Sequence, residues 1–297
     1  MSRKIAEDIL IHAEDIAKNG CGRPLAERLF VNIFFESSTR TRTAFEATAK
    51  QLGADVVNLD RITMAGQTKG ESMPDTVRTV AAMGAAGIAL RHSEPEAVEA
   101  AAFAADQFNI PVINGGAGCS SHPTQGLTDA YTLRQAVGKD ISGMTIAIVG
   151  DVLHSRVARS DAQIFRTLGA ENIRLIGPPA LCPPTLEKEF HAPVFADMDS
   201  GLENADAVVV LRAQRERLCG DFYSSPQEYF DDYGMTEKRL AKLKPSAVIM
   251  HPGPINRGVE IADTVADGKQ SLILQQVTNG MAIRKAALIR LCSNGRG

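Results

Sequence analysis

Residues 29–45 read L-F-V-N-I-F-F-E-S-S-T-R-T-R-T-A-F. A nearly continuous apolar run, Leu29 to Phe35, stops at Glu36, and two serines, three threonines and two arginines then fill the seven positions Ser37 to Thr43. A continuous apolar run marks a strand covered on both faces, as in a parallel sheet. Beyond it, Phe45, Ala49 and Leu52 recur at helical spacing, and Gly53 stands where a helix closes. The stretch therefore predicts a buried strand, a polar turn and a helix over 41–52. A helix N-terminus exposes unpaired N–H groups and the positive end of a dipole, so it attracts anions. Ser38, Thr39 and Thr41 add hydroxyl donors, and Arg40 adds a two-pronged guanidinium. The plain alternative is capping by Ser38 or Thr39, with Arg42 paired to Glu46 four residues on. The GxxxxGK[ST] pattern of a Walker loop is absent.

The same alternation continues along the chain. Short apolar runs at 54–59, 87–90, 111–115, 145–150, 172–177, 206–211 and 247–250 read as strands. Helical patterns separate them, among them 93–108 and 161–170, with Ser93 and Asp161 as candidate caps. A segment at 127–143 divides the strands into two sets of about four, and an amphipathic helix at 279–292 follows the last strand. This pattern predicts an α/β protein of two domains, each with a central, mainly parallel sheet flanked by helices, joined near residues 130–140.

Composition narrows the function classes. No run approaches the roughly 18 apolar residues that span a membrane, and the N-terminus lacks the apolar core of a signal peptide. A net charge of −3 and a pI near 6.1 argue against bulk nucleic-acid binding. The five cysteines are odd in number and widely spaced, with no CxxC, which fits a reduced cytoplasmic compartment. The six histidines form no HxxxH pair, so no metal site is expected. Neither 115–120 nor 149–156 is a GxGxxG closing into a helix, which argues against NAD.

In open parallel α/β sheets, ligands bind beyond the carboxyl ends of the strands. Arginine or histidine recurs at those ends: Arg40 and Arg42, Arg91 and His92, His122, His154 and Arg156, Arg212, and His251. A mildly acidic chain that aims cations at one crevice is expected to hold an anion there. Each residue also has an ordinary reading. Arg91 could be a surface cation, and His122 a cap rather than a neutral imidazole donating to a carbonyl oxygen. Arg156 and Arg212 could be salt-bridge residues, Lys69 a solvated lysine, and residues 251–254 a plain turn rather than a rigid frame for carbonyls. Glu36 beside an anion site makes sense if it orients arginines, with Arg156 or Arg217 as partners.

Taken in order, S-T-R-T-R at 38–42, R-H at 91–92, H-P-T-Q at 122–125, G-D-x-x-H-S-R at 150–156, R-x-Q-x-E-R at 212–217 and H-P-G-P-x-N-R-G at 251–258 resemble the aspartate/ornithine carbamoyltransferases. The resemblance runs from about residue 29 to the C-terminus and is to the aspartate branch in its bacterial form, since ornithine enzymes carry H-C-L-P where this chain has H-P-G-P. It implies that Ser38, Thr39, Arg40 and Thr41 hold the phosphate of carbamoyl phosphate. Thr41, Arg91 and His122 then polarise its carbonyl, and Gln125 with the backbone at Gly253 and Pro254 holds the carbamoyl amide. Arg156 and Arg212 take the two carboxylates of aspartate, with Gln214 nearby, and Glu36 and Arg217 give structural support. Lys69 reaches in from a neighbouring subunit, so the active unit is a homotrimer with shared sites; relatives join regulatory chains or dihydroorotase in larger assemblies. Residues 1–134 form the carbamoyl-phosphate domain, with the terminal helix within 276–297 packing back on it, and 135–275 form the aspartate domain.

Two departures stand out. The family has a serine shortly before the loop lysine, where this chain has Ala65 and Gly66, with Thr68 the only close hydroxyl. The segment before the first strand is also short for the family. The expected activity is aspartate carbamoyltransferase, without cofactor, in pyrimidine synthesis. The alternatives are carbamoyl transfer to another amine such as ornithine, or a non-catalytic assembly subunit.

Overall fold

The computed structural model describes residues 1–36, 38–60, 71–138, 140–213, 223 and 225–293. The chain divides into two compact units. The N-terminal unit comprises Lys4–Thr124 and the chain from Gly280 on, and the C-terminal unit comprises Gln125–Asn279 with Met1–Arg3.

In the N-terminal unit four parallel strands, β1 (Leu29–Phe34), β2 (Asp55–Asp60), β3 (Ala85–His92) and β4 (Val112–Ala117), lie in the order β2-β1-β3-β4. The crossovers include α2 (Thr39–Gln51), α3 (Met73–Ala82) and α4 (Pro95–Asp106); α1 (Arg3–Asn19) precedes the sheet. Alternate residues of β1 face opposite sides. Val31 and Ile33, with Ile88 and Leu90, pack against Met73, Val77 and Val98 of α3 and α4. Phe30 and Phe34 pack against Phe45 and Ala49 of α2 and against Leu288 and Cys292 near the C-terminus. Coverage of both faces is the reason β1 reads as an unbroken apolar run. The C-terminal approach depends on Gly87 of β3, where a Cβ would stand 2.5 Å from Cys292 Sγ.

In the C-terminal unit five parallel strands, β5 (Thr145–Val149), β6 (Asn172–Ile176), β7 (Val194–Phe195), β8 (Ala207–Val210) and β9 (Val248–Met250), lie in the order β7-β6-β5-β8-β9. Two helices matter most for the site: α5 (Pro123–Val137), whose first residues belong to the other unit, and α6 (Arg156–Thr167). Each unit is thus an α/β layer built on a parallel sheet, as the sequence pattern predicts.

Boundaries differ from the sequence reading at several points. β7 has two residues, too few to form a pattern. α6 begins at Arg156, because Ser155 caps it by accepting the Ala158 N–H at 3.0 Å. Asp161 is therefore not a cap but a fully buried residue inside the helix. α4 starts at Pro95 with Glu94, not Ser93, at the cap; proline fits the first turn because it lacks the N–H that would go unpaired. The last helix runs from Ile273 to Leu288, six residues earlier than the amphipathic pattern begins, and ends in a π-helical turn at Ile289–Ser293. Among the described residues no helix is long and apolar enough to cross a membrane, and no three His, Cys, Asp or Glu side chains cluster as metal ligands do.

Candidate active site

In the N-terminal unit the polar turn after β1 leads directly into α2, with Ser38 at the cap position. The Ser38 carbonyl accepts the Arg42 N–H at 3.2 Å, but the Ser38 side chain makes no capping hydrogen bond. Thr39 and Arg40 are exposed, so the first turn presents donors outward. Thr41 turns inward and is 8% exposed; its Oγ1 lies 3.5 Å from Nε2 of the buried His122. His122 is held at the end of a tight turn after β4, where Ala117 N–H donates to the Ser121 carbonyl and Asn114 Nδ2 to Ser121 Oγ at 2.8 Å.

Arg91 joins the same end of the sheet because β1 and β3 are neighbours, with Phe34 opposite Arg91 and the Phe35 N–H donating to the Arg91 carbonyl. Its guanidinium, 12% exposed, donates from Nη2 to Glu36 Oε1 at 3.3 Å. The sequence reading offered Arg156 or Arg217 as partners of Glu36; the pairing of β1 with β3 supplies Arg91. Arg42 does help to lower the Glu46 pKa, but the hydrogen bonds of that carboxylate go to Lys50 and Asn58. This unit therefore combines a helix N-terminus, two arginines, and a hydroxyl–imidazole pair within one strand-end region. Such a set suits an anion that carries a polarisable carbonyl.

The C-terminal unit, taken by itself, has its own polar residues at strand ends. Gln125, in the first turn of α5, donates from Nε2 to Asp129 Oδ1 at 2.8 Å. After β5, the buried Asp151 accepts from the His154 N–H at 3.2 Å and meets His154 Nδ1 at 2.8 Å, which folds the loop that delivers Arg156 to the start of α6. Arg212 follows β8 and is exposed. The loop of Gly253 and Pro254 follows β9 and is tightly held. His251 N–H donates to Gln276 Oε1 at 2.9 Å, and Gly253 N–H donates to His251 Nδ1 at 2.7 Å. Because Nδ1 accepts, the proton is on Nε2, which donates to Glu260 Oε1 at 3.1 Å.

Glu260, 1% exposed, also accepts the N–H groups of Asn256 and Ala213, and Asn256 Nδ2 donates to the Ala213 carbonyl. One buried carboxylate thus ties the loop after β8, next to Arg212, to the loop after β9. Sequence reasoning missed Asp129, Glu260, Asn256 and Gln276. Their signal was polar residues inside otherwise apolar or turn segments, which does not name a partner. Lys69, Gln214, Arg217 and the Ala65–Gly66 position lie outside the described residues.

No nucleophile emerges from the buried thiols. Burial, and then the charge of Asp151, pushes the Cys182 thiol up to about 12. Two surface cavities of ≈ 460 and ≈ 690 Å³ in the C-terminal unit contain none of the predicted residues. The predicted residues lie at polar strand ends rather than in these two cavities.

Comparison with known proteins identifies the family. Residues 1–135 match the carbamoyl-P binding domain of aspartate/ornithine carbamoyltransferase, and residues 142–291 match the Asp/Orn binding domain. The chain is similar to an ornithine carbamoyltransferase from Thermus thermophilus, with 27% identity and a TM-score of 0.85 over 98% of this chain and 96% of that one. It is similar to an aspartate transcarbamoylase from Trypanosoma cruzi in complex with carbamoyl aspartate and phosphate, with 26% identity and a TM-score of 0.83 over 97% of this chain and 92% of that one. It shares its fold with the Pyrococcus furiosus ornithine carbamoyltransferase, with a TM-score of 0.86 at 24% identity over 100% of this chain and 95% of that one. Matched along nearly its whole length by both domain models, with the strand-end arginines and hydroxyls distributed over both, this chain belongs to the aspartate/ornithine carbamoyltransferase family of transferases.

Proposed function

We propose that this protein is an aspartate carbamoyltransferase, which moves the carbamoyl group of carbamoyl phosphate to the amine of L-aspartate. The products are N-carbamoyl-L-aspartate and phosphate, in de novo pyrimidine synthesis. The observation that carries the aspartate reading is the pair of arginines at strand ends of one unit, Arg156 after β5 and Arg212 after β8. Two cations suit a substrate with two carboxylates. The end of ornithine remote from its reacting amine carries one carboxylate and one ammonium, and the ammonium calls for an acceptor rather than a second arginine. The Trypanosoma cruzi relative, which binds carbamoyl phosphate and aspartate together, supports the same substrates.

In this reading residues 1–134, with 276–297, bind carbamoyl phosphate and 135–275 bind aspartate. Ser38, Thr39, Arg40 and Thr41 hold the phosphate. Thr41, Arg91 and His122 surround the carbonyl oxygen, where negative charge grows as the amine attacks. Each preorganised donor there lowers the barrier by about 3 kcal/mol. Gln125 and the Gly253–Pro254 backbone hold the carbamoyl amide, and Arg156, Arg212 and Gln214 hold aspartate. The leaving phosphate accepts the amine proton, so the reaction needs no side-chain nucleophile. Orientation of two anionic substrates is itself a large part of the barrier. Lys69 acts across a homotrimer in the cytoplasm. Incubation of the protein with carbamoyl phosphate and either aspartate or ornithine tests the reading: N-carbamoylaspartate is the expected product. Citrulline instead moves the chain to the ornithine branch, and neither product from an intact trimer makes it a non-catalytic member.

A further inference from the structure

Asp129 on α5 and Asp161 on α6 are both completely buried. Their helices approach closely because position 126 is glycine: a Cβ there would stand 2.9 Å from the Ser160 carbonyl oxygen. Three residues beyond that contact, the Asp129 and Asp161 carboxyls are buried together between the two helices, and Asp129 Oδ2 and both Asp161 oxygens have no N–H or O–H donor elsewhere among the described residues. Two carboxylates cannot bond each other without a proton, and two like charges at this depth repel strongly. Burial first, and then the charge and hydrogen bond of Asp129, hold Asp161 well above the usual carboxylate range.

The surrounding bonds say which residue carries the charge. Asp129 Oδ1 accepts from Gln125 Nε2 at 2.8 Å and from Gln276 Nε2 at 2.7 Å. Among the described residues neither Asp161 oxygen has another hydrogen-bond partner. Asp129 is therefore the charged acceptor and Asp161 the neutral acid that donates to it. An acceptor can be met only by the N–H₂ end of an amide, so Asp129 sets the orientation of both glutamines. Gln276 turns its Oε1 to the His251 N–H, at the root of the 251–254 loop. Gln125 is left with its Oε1 as the atom available to a ligand.

We propose that Asp129 and Asp161 form a one-proton pair of positioning residues that presents Gln125 Oε1 as an acceptor for a substrate N–H and, through Gln276, steadies the Gly253 loop. The inference rests on the proposed function in placing the carbamoyl amide at Gln125; the pair itself stands on the contacts within the C-terminal unit. The next titratable groups along the network are His251 and Glu260, joined to it through the Gln276–His251 bond.

The test uses the full chain in its native assembly, as wild type and as the variants Asp161→Asn, Asp161→Ala and Asp129→Asn. In wild type the folded state keeps a proton that the unfolded chain releases above the ordinary carboxylate range. Its folding constant therefore falls relative to that of Asp161→Asn as pH rises above the ordinary carboxylate range, with a limiting slope of roughly tenfold per pH unit. A flat difference in denaturant unfolding overturns the shared proton. For carbamoyl transfer, Asp161→Ala and Asp129→Asn are expected to lower kcat at least tenfold with smaller changes in KM, and Asp161→Asn to restore the rate because its amide still donates to Asp129. Wild-type kcat in Asp161→Ala overturns the positioning role. If wild type transfers carbamoyl to neither aspartate nor ornithine, the proposed function fails, while the unfolding comparison still decides the pair.

Discussion

Thr41 Oγ1 lies 3.5 Å from His122 Nε2, although the two residues are 81 positions apart. One stands in the first turn of α2 after β1 and the other at the foot of α5 after β4, and both are almost fully buried. A buried hydroxyl and imidazole in contact at a strand end can direct their donors at one oxygen of a bound substrate. Thr41→Val keeps the shape and removes the hydroxyl. It is expected to lower kcat for carbamoyl transfer by a hundred- to a thousandfold, the size seen when one oxyanion donor is lost. Unchanged steady-state kcat would remove Thr41 from the carbonyl site.

Arg91 is mostly buried and pairs with Glu36, which holds its guanidinium at the end of β3. Arg91→Ala is expected to cut kcat/KM at least a thousandfold, because under the proposed function it removes both phosphate neutralisation and carbonyl polarisation. The circular dichroism spectrum is expected to stay native, since the residue lies at a sheet end. Glu36→Gln is expected to cost far less, about tenfold, because it loosens Arg91 without removing it. A near-normal rate in Arg91→Ala contradicts the role.

Under the proposed function Arg212 binds one carboxylate of aspartate. Arg212→Ala is expected to raise the KM for aspartate by roughly 10- to 100-fold, the worth of one charge-assisted bond to a carboxylate. The KM for carbamoyl phosphate is expected to change little. Equal effects on both constants, measured by varying each substrate in turn, would argue that Arg212 acts on the fold.

The thiols give a chemical check on the fold. Burial pushes Cys182 and Cys292 each up to about 12, so at neutral pH both stay protonated and enclosed. Cys119 is exposed and Cys21 half-buried. Brief treatment with iodoacetamide at pH 7.5, followed by peptide mass spectrometry, is expected to label Cys119 first and to spare Cys182 and Cys292 until denaturant is added. Rapid labelling of Cys182 in the native protein would contradict its place beside Asp151.

Much of the fold was legible because its signals are local. The continuous run at Leu29–Phe34 is apolar at nearly every position because helices cover both faces of its sheet. The hydroxyl-rich turn at 38–41 is a property of a few adjacent residues. Boundaries set by single contacts were less legible. Asp161 resembled a helix cap because carboxylates seldom lie inside a helix facing the core, and only the packing of α6 against α5, which buries Asp161 with Asp129, explains its place. The division between units falls at Thr124–Gln125 and Asn279–Gly280, inside two helices, where no change of composition marks it.

By itself, then, the amino-acid order determined the alternation of strands and helices and which strand ends carry hydroxyls, arginines and histidines, since periodicity and turn chemistry act over a few residues. Tertiary structure alone decided that β3 pairs with β1, so that Arg91 meets Glu36. It also decided that Glu260 joins the loops after β8 and β9, and that two aspartates meet behind Gln125. Those relationships follow from strand order and helix packing, which bring together side chains tens of positions apart in the chain.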